Sequence, residues 1–82
     1  MKTFYIRSGE LDAKQDAASP QKAAELALKQ SSCSLGQQVF VNDKPIKDGK
    51  YNGETMFYTD ALLTDIGQSF EEAADGGFRV VG

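Results

Sequence analysis

The chain has 82 residues and a net charge of −3, and 40% of its residues are hydrophobic and 26% charged. A chain this short buries enough surface for one core only, so we expect a single domain spanning residues 1–82. The composition is typical of a folded domain and argues against a disordered or membrane-spanning chain. The absence of His, together with a single cysteine, Cys33, excludes the usual zinc and non-haem iron sites.

The cellular location is predicted from the same features. The basic start of the chain, residues 1–7, has no apolar run long enough for a signal peptide. Small secreted domains usually carry several cysteines, and this chain has one. Both observations predict a cytoplasmic protein.

The first predicted elements are two strands. Residues 4–7 are aromatic and β-branched and predict a strand, and Ser8 and Gly9 predict a turn. Residues 11–17 alternate weakly and are polar, which is typical of a strand at the edge of a sheet.

A helix follows, because Ser19 suits an N-cap, Pro20 suits the first helical position, and residues 21–30 are mostly strong helix formers. Gly36 marks the exit from this segment. Ala23, Ala24 and Ala27 line one side of the helix, so it can lie close against a sheet.

Residues 37–42 and 54–59 predict two further strands, paired as an antiparallel hairpin. The polar connection between them, residues 43–53, is longer than packing requires and is a candidate functional loop. It carries a small basic cluster formed by Lys44, Lys47 and Lys50.

Residues 60–75 leave two interpretations open. Leu62, Ile66, Phe70 and Ala74 recur at helical spacing, but Gly67 interrupts it, so either one helix tolerates the glycine or a short helix ends at Ile66. Residues 76–82 form a terminal strand or a loose tail.

The order β-β-α-β-β-α, with a possible last β, predicts an α+β fold: a two-layer sandwich with a mostly antiparallel sheet. Without its first strand this order matches the split pattern of ferredoxin-like domains, which is one arrangement that would fit.

Three apolar triplets at residues 4–6, 39–41 and 56–58 are the main functional signal. Successive side chains of a strand point to opposite faces, so each triplet places apolar atoms on both sides of the sheet. One layer of helices covers one side only. The other side, which we call the aromatic face, carries Tyr5, Phe40, Met56 and Tyr58. It is covered by the segment after Asp60, by a second copy of the chain or by a partner.

The sequence contains no signature of catalysis or of cofactor binding. It has no His base, no nucleophile elbow and no phosphate-binding loop. Residues 48–59 fit a calcium loop only in part, because Lys50 stands in the third place and Thr59 in the twelfth. We therefore expect neither an enzyme nor a cofactor, and no small-molecule substrate.

The remaining functions are interactions. Aromatic residues and Met are enriched at the centres of protein interfaces, so the aromatic face and the loop of residues 43–53 predict binding to a protein partner or self-association. Stacking of single-stranded nucleic acid on the same face is an alternative, which the net charge and the few lysines disfavour. A second alternative is an acidic nucleic-acid mimic, in which the acidic face of residues 54–75 occupies a nucleic-acid site on another protein. Residues 51–82 carry a net charge of −5 and residues 1–50 one of +2.

Three parts of the chain show a family resemblance. They are the segment Phe4 to Asp12, the alanine-rich helix that begins at Ser19-Pro20, and the junction Phe57-Tyr58-Thr59-Asp60. They resemble small uncharacterised proteins of bacteria and their phages, in which an N-terminal β-hairpin precedes such a helix. The resemblance covers about the first thirty residues and the junction. It implies no activity and assigns no functional residue.

Overall fold

The structure is a computed structural model that describes residues 1–31, 33–47, 53–74 and 76–81. Residues 48–52 lie outside the described residues. Lys50 of the predicted basic cluster and the first five residues of the segment compared with a calcium loop therefore receive no structural account.

The chain begins with an antiparallel hairpin formed by β1, Lys2–Ser8, and β2, Leu11–Ala17. Ser8 lies opposite Leu11, so only two residues make the turn. The first of them, Gly9, has a φ of 58°, a value that two-residue hairpin turns require and that glycine adopts without strain. Both predicted strands are confirmed.

The first helix, α1, spans Pro20–Lys29 and begins as its sequence predicts. The Ser19 hydroxyl accepts a hydrogen bond from the Lys22 N–H at 3.2 Å, and Pro20 occupies the first turn, where no donor is needed. The buried side of the helix consists of Ala23, Ala24, Ala27 and Leu28. The alanine stripe therefore packs against the sheet.

Two further strands complete a four-stranded sheet: β3, Gln38–Asn42, and β4, Thr55–Tyr58. The strand order is β2-β1-β3-β4 and every neighbouring pair is antiparallel. The α+β class and the β3–β4 hairpin are confirmed. β1 lies inside this sheet, whereas the ferredoxin-like interpretation treats the first strand as an addition to the domain.

The segment after β4 turns out to be a short helix and a hairpin. Helix α2, Thr59–Asp65, ends at Ile66, where Gly67 adopts a φ of 69°. The Gly67 N–H donates to the Thr64 carbonyl and the Gln68 N–H to the Leu63 carbonyl, which is the bonding of a Schellman motif. The shorter of the two predicted helices is therefore correct.

Beyond Gly67 the helical spacing of Phe70 and Ala74 does not correspond to a helix. Phe70 begins strand β5, Phe70–Glu72, which pairs with β6, Phe78–Val80, as a separate two-stranded sheet. The terminal strand is confirmed. Backbone bonds between Leu35 and Phe78, at 2.8 and 2.9 Å, join this hairpin to the segment between α1 and β3.

The hydrophobic core lies on one side of the four-stranded sheet. It combines buried residues of β1, β2 and β3 with those of both helices and with Leu35: Phe4, Ile6, Leu11, Ala17, Ala23, Ala24, Ala27, Leu28, Leu35, Val39, Val41, Leu62 and Leu63. Phe70, Phe78 and Val80 of the hairpin pack against this cluster. In the described residues, no helix is long and apolar enough to cross a membrane.

Candidate functional site

The two faces of the four-stranded sheet differ sharply in burial. In β1, Phe4 and Ile6 are buried whereas Tyr5 and Arg7 are only half-buried, as the alternation of a strand requires. Ile6 lies opposite Val41 in the neighbouring strand, and both belong to the core. We call this side the helix face, and the other side is the predicted aromatic face.

The aromatic face carries an exposed apolar cluster on β3 and β4. Phe40 lies directly opposite Met56, and Tyr58 lies opposite Gln38 in the same pair of strands. Phe40, Met56 and Tyr58 are 36%, 40% and 59% exposed. These three side chains, which we call the apolar cluster, lie on the same face of the neighbouring strands β3 and β4, and β4 is an outer strand of the sheet.

The other half of the aromatic face is charged. From β2 to β4, one row of opposed residues runs Asp12, Arg7, Phe40, Met56. The Arg7 guanidinium contacts the Asp12 carboxylate at 3.3 Å, so the two charges compensate each other. The face therefore changes from ionic to apolar at the boundary between β1 and β3.

Tyr5 belongs to the charged half. It lies opposite Lys14 on β2, whose Nζ sits 5.5 Å from the centre of the tyrosine ring. This is within the range of a cation–π contact. Of the four residues predicted for the aromatic face, all four share the face, but only Phe40, Met56 and Tyr58 form the cluster.

The segment after Asp60 does not cover the apolar cluster. Leu62 and Leu63 of α2 are buried in the core, on the helix face of the sheet. Phe70 and Phe78, whose rings meet edge to face at 5.5 Å, pack against that same core. The interpretation in which this segment shields the aromatic face is therefore wrong.

The described part of the connecting loop contributes two of the predicted lysines. Lys44 and Lys47 are both exposed, and no ion pair joins either of them to another described residue. Their neighbour Asp43 is paired with Lys2 at 3.2 Å. The two lysines therefore present positive charge at the end of the sheet where β3 leaves and β4 enters.

Two buried hydroxyl groups, those of Ser8 and Thr59, hydrogen-bond to the backbone at the start of β3. They connect β1 and α2 to the segment that follows α1. The Ser8 hydroxyl donates to the Gln38 carbonyl at 2.8 Å and accepts from the Gly36 N–H at 3.0 Å. The Thr59 hydroxyl donates to the Gly36 carbonyl at 2.7 Å. Ser8 and Thr59 are at most 1% exposed, so these bonds fix the junction from which β4 and its apolar residues extend.

The sequence does not assign this role to Ser8 or Thr59. Ser8 indicates only a turn, and Thr59 is only a poor match to a calcium ligand. The one signal that points to Thr59 is its position directly after a strand and before a helix. Its hydroxyl is committed to Gly36.

Metal ligands, a cavity at the first hairpin turn and Cys33 are the remaining features of the described residues. These residues contain no group of three or more Cys, Asp or Glu side chains placed to hold a metal. A cavity of about 340 Å³ lies where Gly9 approaches Gly36, and Glu10 is the one titratable residue among its described lining. Cys33 is half-buried, with its sulfur 3.6 Å from the Ser31 hydroxyl.

Known proteins provide no comparison for this site. No family model matches the chain, and no curated protein or solved structure is significantly similar to it. The resemblance to small bacterial and phage proteins stays a prediction.

Proposed function

We propose that this chain is a small, non-enzymatic protein-interaction module of the cytoplasm, which binds through the apolar cluster of its aromatic face. The observation that carries the proposal is the exposure of Phe40, Met56 and Tyr58 side by side on a rigid sheet. Contiguous exposed apolar residues with a polar surround are characteristic of interaction sites. Aromatic residues at the centre of such a patch supply most of the binding energy.

The surroundings of the cluster suit a protein partner. On one side lies the paired Arg7 and Asp12, which can form a hydrated polar rim. At the end of the sheet, the exposed Lys44 and Lys47 can contact acidic groups of the partner. The sequence predicts that Lys50 joins them, and this residue lies outside the described residues.

Single-stranded nucleic acid is the weaker alternative. A stacking face needs free cations beside its aromatic rings to neutralise phosphates. On this face Arg7 is paired with an acid and Lys14 lies over Tyr5, and the chain as a whole carries a charge of −3. These features favour a protein partner.

The proposal is tested by placing a charge in the cluster. We expect Phe40→Asp and Tyr58→Asp to keep the fold, because both side chains lie outside the core, and to lose the proteins that the wild type captures in a pull-down. Gln21→Asp, which adds the same charge on an exposed position of α1, is the matched control and should capture the same proteins as the wild type. Circular dichroism and a denaturant titration check that all three variants are folded.

Two results would contradict the proposal. If Phe40→Asp unfolds the chain, the aromatic face is part of the core. If all variants capture the same proteins, the cluster is not the binding surface. Salt-sensitive binding of short oligonucleotides that Phe40→Asp abolishes would instead assign the face to nucleic acid.

A further inference from the structure

The four-stranded sheet has two outer strands, and they differ in how they are protected. The β2 edge carries the exposed charged residues Asp12, Lys14 and Asp16. Charged side chains are a common device against pairing with another chain. The β4 edge, Thr55–Tyr58, has no charged residue, proline or glycine.

The backbone of β4 offers unused hydrogen-bonding groups. The Thr59 N–H donates to the Gln37 carbonyl at 3.1 Å, so Thr59 directs its peptide groups towards β3. In an antiparallel pair this direction alternates residue by residue. Phe57 and Thr55 therefore also face β3, and the N–H and C=O groups of Met56 and Tyr58 point away from the sheet.

Met56 is the centre of this edge. The Tyr58 carbonyl belongs to the N-cap of α2 and accepts the first bond of that helix. Met56 thus has both of its peptide groups directed outwards and unclaimed by the helix. In the described part of the chain, no strand pairs with β4 on this side.

We propose that β4 pairs antiparallel with β4 of a second copy of this chain, about a two-fold axis at Met56. Each Met56 N–H then donates to the Met56 carbonyl of the other copy, closing a two-bond ring. Position 58 of each copy lies opposite position 54 of the other. The two sheets become one sheet of eight strands.

A second copy fits this edge because the edge is complementary to itself. A residue whose N–H and C=O both point outwards pairs with an identical residue related by a two-fold axis, which is the symmetry of most dimers. On the aromatic face, the two Met56 side chains become neighbours. On the helix face, Thr55 lies opposite Phe57 of the other copy, so the half-buried Phe57 gains a neighbour.

The exposed area also favours this arrangement over simple stacking of two aromatic faces. With roughly 200 Å² for each side chain, the apolar cluster exposes about 250–300 Å². A stable interface needs about 800 Å² from each partner. Stacking the clusters alone falls well short of this area. Edge pairing instead adds backbone hydrogen bonds, and it leaves the two clusters exposed side by side as one surface of about 500–600 Å².

The inference deepens the proposed function and rests on it, because the joined surface is the one that would bind a partner protein. Both copies carry a net charge of −3 and repel each other. Added salt screens this repulsion. Pairing therefore tightens with salt, which is opposite to the behaviour of a complex with nucleic acid.

The first measurement is the mass of the wild type by sedimentation equilibrium, from micromolar to millimolar concentration and at two salt concentrations. We expect a monomer–dimer equilibrium that shifts towards the dimer with concentration and with salt. A strict monomer throughout this range would overturn the inference and would leave the proposed binding of another protein standing.

The register is tested by cysteine trapping in a Cys33→Ser background. Met56→Cys places two thiols on residues whose Cα atoms lie about 5.5 Å apart in the paired state, close enough for a disulfide. Tyr58→Cys and Lys14→Cys are exposed controls. In the proposed register the two residues at position 58 lie four residues apart along the paired strands, and position 14 lies on the opposite edge of the sheet. Mild oxidation should link Met56→Cys into dimers and leave both controls monomeric. Equal linking of all three would overturn the proposed register.

The backbone bonds are tested by comparing Met56→Pro with Met56→Ala. Proline removes the outward N–H and spares the bonds to β3, since an edge strand accepts proline at such a position. Alanine shortens the side chain and keeps the N–H. We expect proline to raise the dimer dissociation constant at least about tenfold more than alanine does. Equal dissociation constants would exclude pairing through this N–H.

Phe40→Asp separates this inference from the proposed function. Phe40 lies on β3, away from the edge, so its substitution should abolish capture of a partner and leave the dimer. Loss of the dimer with Phe40→Asp but not with Met56→Pro would overturn edge pairing in favour of packing between aromatic faces. Should Met56→Pro fail to fold, the cysteine pair remains decisive.

Discussion

The helix face and the aromatic face are built by the same strands and end in opposite environments. Ile6 and Val39 on the helix face are inaccessible to solvent, whereas Phe40, the neighbour of Val39, is 36% exposed and Tyr58 is 59% exposed. All four residues come from the apolar triplets. The triplets therefore divide between core and surface, with burial decided by what packs on each side.

The difference follows from the path of the chain after β4. Helix α2 ends at Ile66, and the hairpin of β5 and β6 then joins the backbone at Leu35 through two bonds with Phe78. Both helices and the hairpin thus add to the helix face. On the other face, Phe40, Met56 and Tyr58 stay exposed.

The largest effect should come from truncating matched residues on the two faces. Ile6→Ala removes a side chain that is inaccessible to solvent, so we expect the free energy of unfolding to fall by about 2–5 kcal/mol. Phe40→Ala removes a larger side chain that is 36% exposed, and we expect a smaller loss of about 1–2 kcal/mol. Denaturant titration of both variants measures the contrast.

Similar losses of stability in the two variants would contradict the difference in burial between the two faces. That result would mean that Phe40 is buried in solution, by the chain itself or by a second copy. Repeating the titration at several protein concentrations distinguishes these cases, because stability gained from a dimer depends on concentration.

The next effect concerns the turn that places β1 and β2 in register. A Cβ at Gly9 would lie 2.6 Å from the Gly36 nitrogen and would also have to adopt a φ of 58°. We expect Gly9→Ala to lower the free energy of unfolding by at least about 1–3 kcal/mol. Thermal and denaturant unfolding measure the loss.

Gly67→Ala is the matched control for Gly9→Ala. Gly67 has a φ of 69°, and a Cβ added to it would have no neighbouring atom within 4 Å, so its substitution carries the cost of the dihedral angle alone. We expect it to be the milder of the two variants. Equal losses would show that a Cβ at Gly9 meets no steric cost from Gly36 beyond the cost of the dihedral angle.

The elements with local signals can be predicted from the sequence. Ser19 and Pro20 mark the start of α1 because the cap bond and the missing donor both lie within one turn of the helix. The polar alternation of residues 11–17 predicts β2 with the bounds that the structure shows. In both cases, neighbouring residues determine the structure.

The segment after Ile66 cannot be assigned in this way. Leu62, Ile66, Phe70 and Ala74 have helical spacing, but a glycine in the left-handed conformation ends the helix after Ile66. Phe70 then packs as part of a strand against Phe78 and the core. The four-residue spacing indicates that these side chains are buried against apolar neighbours. It does not show whether the backbone that carries them is a helix or a strand.

The candidate site is predictable in part. Alternation along the strands is local, and it correctly places Tyr5, Phe40, Met56 and Tyr58 on one face. Their exposure depends on where a later segment packs, which is a long-range property. The hydrogen bonds of Ser8 and Thr59 with Gly36 are also long-range, since each joins residues that are more than twenty apart in sequence.

The smallest effect should come from the charged half of the aromatic face. Lys14→Ala removes the cation that lies 5.5 Å from the Tyr5 ring, and an exposed contact of this kind contributes about 0.5–1 kcal/mol. Because this loss is close to the limit of measurement, a double-mutant cycle with Tyr5→Leu isolates it from other effects of the substitution. We expect the two substitutions to be coupled, and we expect Lys14→Ala to uncover the Tyr5 ring and extend the apolar area towards β2. Binding of a hydrophobic dye to the face should then increase. A coupling energy of zero would mean that Lys14 merely lies near the ring, and that charge pairing through Arg7 and Asp12 is what keeps this half of the face polar.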